Sequence, residues 1–142
     1  PPEAHPERLD LAALARAVAA RCTGPVAVHA PAPAWVSADR DHVETVLEEL
    51  LANARAFDPE GELLVEVAAG ARAAVMSVLD RGPGPQVPAE SAFQPWVTTR
   101  PEGTGLGLAI VQAVARANGG RVELAAREGG GAAARLELPV EG

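Results

Sequence analysis

Apolar residues in this chain switch repeatedly between helical spacing and strict alternation, and that pattern restricts the possible folds more than any other feature of the sequence. Leu9, Leu11, Leu14 and Val18 recur at helical spacing with Asp10 near the start, which predicts a helix from Leu9 to about Arg21. Gly24-Pro25 breaks it, Val26–Val28 reads as a short strand, the Pro/Ala stretch 30–34 as a loop, and Trp35-Val36-Ser37 as another short strand. A long helix is expected from near Asp39, with Val43, Val46, Leu47, Leu50, Leu51 and Ala54 on one broad face, ending before Asp58-Pro59-Glu60-Gly61. Glu62–Ala69 and Ala73–Leu79 alternate on either side of Gly70-Ala71, the mark of an antiparallel hairpin. A third helix, Gly105–Asn118, closes at Gly119-Gly120 in a left-handed cap. Val122–Ala126 and Ala133–Val140 then form a last hairpin across Gly129–Gly131. This grouping predicts an α+β fold, a two-layer α/β sandwich with a mixed sheet of about five strands covered on one face by three helices. Residues 1–8, polar and proline-rich, read as a linker, and 9–142 as one domain.

A length of 142 residues suits one apolar core. The formal charge of -7 argues against non-specific grip on a nucleic acid or an anionic membrane, so a polyanion would need a local site. The chain has no Lys, leaving Arg as the source of every fixed positive side chain. Cys22 is the single cysteine, which rules out an internal disulfide or cysteine metal cluster and fits a reducing compartment; it reads as a buried, inert thiol. No apolar run reaches transmembrane length, so the expected location is cytoplasmic, whether or not a parent protein is membrane-anchored. A start at Pro1-Pro2, with Met76 as the only methionine, reads as a piece of something longer.

Four segments carry chemistry. On the long helix, Glu49 and Asn53 stand four residues apart and share a polar ledge beside the apolar face, offering oxygen ligands for a hard cation such as Mg²⁺. Asp80-Arg81-Gly82-Pro83-Gly84 follows an expected strand; a carboxylate there can accept from an exocyclic amine, and the glycines let a ring approach the backbone. Gly103-Thr104-Gly105-Leu106-Gly107-Leu108 leads into a helix, where free backbone N–H groups and the helix dipole suit phosphates. Between these, Phe93-Gln94-Pro95-Trp96 sits in a long Gly/Pro-rich stretch, where two aromatics are expected to pack down as an anchor. Each segment taken alone also has a plain reading, as a solvated helix face, an ordinary turn or a core anchor.

Together and in this order, ELLANARAF (49–57), DRGPG (80–84), FQPWVTTR (93–100) and GTGLGLAIV (103–111) resemble the N box, first glycine box, F box and second glycine box of sensor histidine kinases. Those kinases belong to the Bergerat-fold ATPase superfamily shared with gyrase-type topoisomerases, mismatch-repair ATPases and certain chaperones. VTTRPEGTGLGLAIV is especially similar to nitrogen-regulation-type sensor kinases. The resemblance implies an ATP-binding catalytic domain with Asp80 on the adenine amine, Gly82 and Gly84 shaping the base pocket and Phe57 near the base. It also implies Asn53, with Glu49, on Mg²⁺; Gly103, Thr104, Gly105, Leu106, Gly107 and Leu108 on the phosphates; and residues 85–102 as a mobile ATP lid. The implied activity is transfer of the γ-phosphoryl group to a histidine on a separate dimerisation domain, and from there to a response regulator receiver domain. The isolated domain is expected to be monomeric.

Three departures qualify the match. The family often has Lys or Arg three residues after the Asn, where this chain has Ala56; Arg55 is turned away by about a quarter turn or more, and Arg100 is the expected source of the charge. Glu49 stands where many of these kinases have Asn, which keeps open a self-contained ATPase or Ser/Thr kinase with Glu49 as general base. The third reading is a degenerate docking module, supported by Ala56 alone. His5, His29 and His42 lack the sequence context of a phosphoacceptor and read as ordinary surface or edge histidines.

Overall fold

The computed structural model describes residues 3–84 and 107–141. Its elements are β1 (Glu7–Asp10), α1 (Leu11–Arg21), β2 (Val26–His29), β3 (Trp35–Ala38), α2 (Arg40–Phe57), β4 (Leu63–Ala69), β5 (Ala73–Leu79), α3 (Gly107–Ala117), β6 (Arg121–Ala126) and β7 (Ala132–Pro139). Five strands form the main sheet in the order β2-β4-β5-β7-β6. β2 runs parallel to β4, and the remaining pairs are antiparallel. The helices cover one face, so the expected α+β sandwich with a mixed sheet is the architecture found.

Alternation decides which strand residues meet the helices. Val65 and Val67 of β4, Met76 and Val78 of β5, and Leu136 and Leu138 of β7 are buried, against Leu14 and Val18 of α1, Val46, Leu47 and Leu50 of α2 and Val111 of α3. Both α1 and α2 start on an aspartate. Asp10 accepts from the N–H of Ala12 at 3.0 Å and also from that of Ala34 at 2.8 Å, tying the start of α1 to the chain entering β3. Asp39 caps α2 at the N–H of His42.

The N-terminal segment differs from the expectation. Glu7 and Arg8, read as linker, belong to β1, and α1 begins at Leu11 rather than Leu9. β1 pairs antiparallel with β3 in a two-stranded sheet of its own, Leu9 opposite Val36, outside the main sheet. Only Leu9 of β1 is buried, so four residues held mainly by this pairing carry almost no hydrophobic signature. Arg8 covers the Trp35 ring at 3.9 Å and pairs with Glu141 at 2.8 Å, and the N–H of Glu141 donates to Trp35 O. Both ends of the described chain are thus fastened at one edge.

His42, read as an ordinary surface or edge histidine, is half-buried and hydrogen-bonded to Asn118. The Asn118 amide accepts from Asp39 N at 2.8 Å and donates to Val114 O at 2.9 Å, which fixes its orientation. Its Nδ2 therefore faces His42 Nδ1, 3.2 Å away, as a donor, and the neutral imidazole must accept there. Asp39 also accepts from His5 N at 2.8 Å, so one carboxylate joins the incoming chain to the start of α2, next to the end of α3. The N–H of His5 and then that of His42 hold the Asp39 carboxyl below its ordinary 3.8.

Candidate functional site

The C-terminal half of α2 and the end of β5 lie side by side. Glu49 and Asn53 flank the apolar face of α2, Asn53 half-buried, while Leu50, Leu51 and Ala54 point into the core, so the four-residue spacing does put carboxylate and amide together at the rim of the core. Phe57, the last helical residue, is half-buried, and Ala56 is beside it.

Asp80 follows β5 and is 5% exposed. A buried carboxylate needs donors, and here the N–H groups of Gly82 and Ala132 reach Oδ1 at 2.9 Å and 3.2 Å. Its backbone is held as well: Asp80 N donates to Ala132 O at 3.0 Å, and Asp80 O accepts from Arg127 at 3.2 Å. Gly82 lies against the end of α2, where an added Cβ would come within 2.6 Å of Phe57 O. At Gly131, φ is +100° and a Cβ would overlap Asp80 O outright. The glycines thus let three backbone segments close around one carboxylate. An acceptor-only group in that setting suits a ligand that presents an N–H, as an exocyclic amine does.

Gly107 opens α3, and Leu108 in its first turn is buried. Gly103, Thr104, Gly105 and Leu106 lie outside the described residues, as do the expected lid positions 85–102, Phe93, Trp96 and Arg100 among them. Among the described residues no group of three or more His, Cys, Asp and Glu side chains could hold a metal ion. A cation at Glu49 and Asn53 would therefore depend on oxygen ligands brought by a bound phosphate, the usual arrangement for Mg²⁺.

One residue near this site escaped the sequence reading. Asp58, read only as part of a helix stop, accepts from Gly61 N at 3.1 Å and from Arg81 N at 2.9 Å. An Asp-Pro-Glu-Gly run signals a turn, but nothing in it foretells the reach to Arg81. Arg55 donates to the carbonyls of Pro25, Asp58 and Gly61, which employs its guanidinium in the framework. That agrees with its being passed over as a substitute for the missing basic residue at position 56.

Residues 38–142 match the family described as histidine kinase-, DNA gyrase B- and HSP90-like ATPase. The chain is 38% identical over 107 residues to the sensor histidine kinase ZraS of Escherichia coli O157:H7, an alignment covering 74% of this chain and 23% of that protein. It thus spans about a quarter of the length of this relative. In solved structures it resembles full-length ShkA in complex with AMPPNP, with a TM-score of 0.82 and 28% identity over 99% of this chain and 32% of that one. It also resembles the nucleotide-free catalytic domain of the histidine kinase ThkA, with a TM-score of 0.81 and 26% identity over 95% of this chain and 97% of that one.

Proposed function

The chain belongs to the histidine kinase-, DNA gyrase B- and HSP90-like ATPase family, as an ATP-binding catalytic domain of the sensor histidine kinase kind, and from that premise we propose how its residues serve phosphoryl transfer. The reaction moves the γ-phosphoryl group of Mg·ATP to the imidazole of a histidine on a dimerisation domain, leaving ADP, and the phosphohistidine then supplies a response regulator receiver. The observation that carries this reading is Asp80, a buried carboxylate held by backbone N–H groups where glycines let three backbone segments close around it.

Phosphoryl transfer needs positioning and charge neutralisation more than covalent chemistry from the protein. Asp80 would accept from the adenine amine, with Gly82 and Gly84 leaving room for the ring and Phe57 near it. The amides of Gly103–Leu108 would hold the phosphates at the start of α3, where the helix dipole favours negative charge. Asn53 and Glu49 would hold Mg²⁺, which supplies positive charge to the phosphate oxygens. Arg100 would provide the side-chain cation that Ala56 does not, and residues 85–102 would close over the nucleotide.

The acceptor is assigned to another domain because this chain's own histidines are poorly placed. His42, the one on a helix, packs against Asn118 and Asp39. The alternatives of a self-contained ATPase or a docking module draw no support from the sensor-kinase relatives. No described helix is long and apolar enough to cross a membrane.

Calorimetric titration with ATP, with and without Mg²⁺, tests the site. Metal-assisted binding is expected, and Asp80→Asn is expected to weaken it by about 10-fold or more, since a hydrogen bond to a charged partner contributes about 1.5–3 kcal/mol. Equal affinity in both proteins would remove Asp80 from the site. Addition of a purified cognate dimerisation domain would then give label on its histidine; binding without transfer would favour the docking module.

A further inference from the structure

We propose that Asp58 is a positioning residue for base recognition: it orients the Asp80 carboxylate through the Arg81 peptide. The proposal rests on the reading of Asp80 as the adenine contact and extends it to a residue outside the four motif segments.

The chain of contacts is short. Asp80 Oδ1 accepts from Gly82 N at 2.9 Å, a side-chain turn of the Asx type whose geometry follows the peptide between residues 81 and 82. The preceding peptide, between residues 80 and 81, is set from the α2 side. Arg81 N donates to Asp58 Oδ2 at 2.9 Å, while Asp58 Oδ1 is occupied by Gly61 N at 3.1 Å. The Asp58 backbone is itself anchored, its N–H closing the last turn of α2 on Ala54 O at 2.9 Å. The Gly82 backbone then rests against Phe57 O, with no room for even a methyl group. From the opposite side the Arg81 guanidinium reaches the β6–β7 turn, donating to Glu128 O at 3.1 Å and Gly130 O at 3.0 Å.

Residue 81 is therefore clamped twice, by its amide to α2 and by its side chain to the β6–β7 turn. The carboxylate that would read the base is held through Gly82 N by this clamp, and from the start of β7 by Ala132 N at 3.2 Å. If the Arg81 amide is released, peptide 80–81 is held only at Asp80 O by Arg127, the backbone leading to Gly82 can turn, the Gly82 bond lengthens, and the Asp80 carboxylate keeps only the longer bond from Ala132 N at 3.2 Å. A group held in productive geometry contributes far more than the same group free to turn. The consequence is specific to the base amine. Contacts to phosphate, made elsewhere, are not altered by the orientation of Asp80.

The test compares ATP with purine riboside triphosphate, which lacks the exocyclic amine, by calorimetry on the full 142-residue chain. Wild type is expected to prefer ATP by about 10-fold or more, the value of a hydrogen bond to a charged acceptor. Asp58→Ala is expected to bring the two affinities to within about 3-fold of each other, chiefly by weakening ATP, with Asp58→Asn intermediate because it keeps one acceptor. A merely structural role would weaken both nucleotides alike and leave the ratio at the wild-type value; that result overturns the proposal. Should Asp58→Ala fail to fold, Asp58→Asn must by itself lower the same ratio, and an unchanged ratio there overturns the proposal equally. A wild type that shows no preference for ATP overturns the reading of Asp80 itself, a failure distinguishable from a preference that survives in Asp58→Ala.

Discussion

At the scale of single residues, small groups in this protein fill places that larger ones cannot. Gly131 has a positive φ and lies so close to Asp80 O that any side chain must push β7 away from the end of β5. Gly131→Ala is therefore expected to destabilise the protein by about 1–3 kcal/mol or more, the range of overpacking and backbone strain, and to weaken ATP binding; urea unfolding with a parallel ATP titration checks both. Cys22 illustrates the opposite case, a reactive group kept quiet. Its Sγ donates to Val18 O at 3.4 Å, and burial pushes the thiol above its ordinary 9.0 despite Arg55 and Arg21 nearby. At neutral pH the thiolate is scarce, so alkylation by iodoacetamide should be slower than that of a free cysteine and should accelerate only above about pH 9. Rapid labelling at pH 7 would contradict this. Cys22 reads in the sequence as a buried thiol, and the structure leaves it half-buried at the end of α1. Asp58 was not legible, because its role exists only once the sheet brings the end of β5 beside the end of α2, and local sequence carries no sign of a partner 23 residues away.

Among elements, α2 carries the most information and is also the easiest to read. Its apolar face, its aspartate cap and its stop at Asp58 all follow from local rules, and the structure begins it at Arg40 and ends it at Phe57. Glu49 and Asn53 were legible as a pair for the same reason: helical period alone brings i and i+4 together. The junction of α2 with the incoming chain was invisible, since it depends on Asp39, Asn118 and His5 meeting from three segments. This junction predicts an acid response. With its folded pKa held below 3.8, Asp39 binds fewer protons in the native state than in the unfolded one, so its contribution is present above that value. It is lost as pH falls through the folded pKa. Asp39→Asn keeps the cap but removes the titration, and its stability should therefore fall less steeply than wild type as pH drops below about 4; identical acid-unfolding profiles would contradict the assignment. In its neutral form His42 should show the Nε2–H tautomer by nitrogen NMR, because Asn118 leaves Nδ1 no other role than acceptor.

For the whole molecule, the sequence similarity and the folding unit have different boundaries. The family match starts at residue 38, yet the core of the domain extends further back. Leu11, Leu14 and Val18 of α1 are each at most 2% exposed and pack in the same cluster as α2 and the sheet. β2 supplies the parallel edge beside β4, and β1 and β3 close the end where Val140 pairs with Val36. The three α1 side chains alone, at about 1.5–3 kcal/mol each, are comparable with the roughly 5–15 kcal/mol by which a domain of this size is stable. Removing α1 would also uncover the inner faces of β4 and α2. A fragment of residues 38–142 should therefore fail to unfold cooperatively and should bind no ATP, whereas residues 3–142, which keep the His5 bond to Asp39, should melt like the full chain. Circular dichroism melts of the two fragments decide this. A cooperative transition in the shorter one would mean that α2, α3 and the antiparallel strands form an autonomous core, with α1 and β1–β3 only an addition to it.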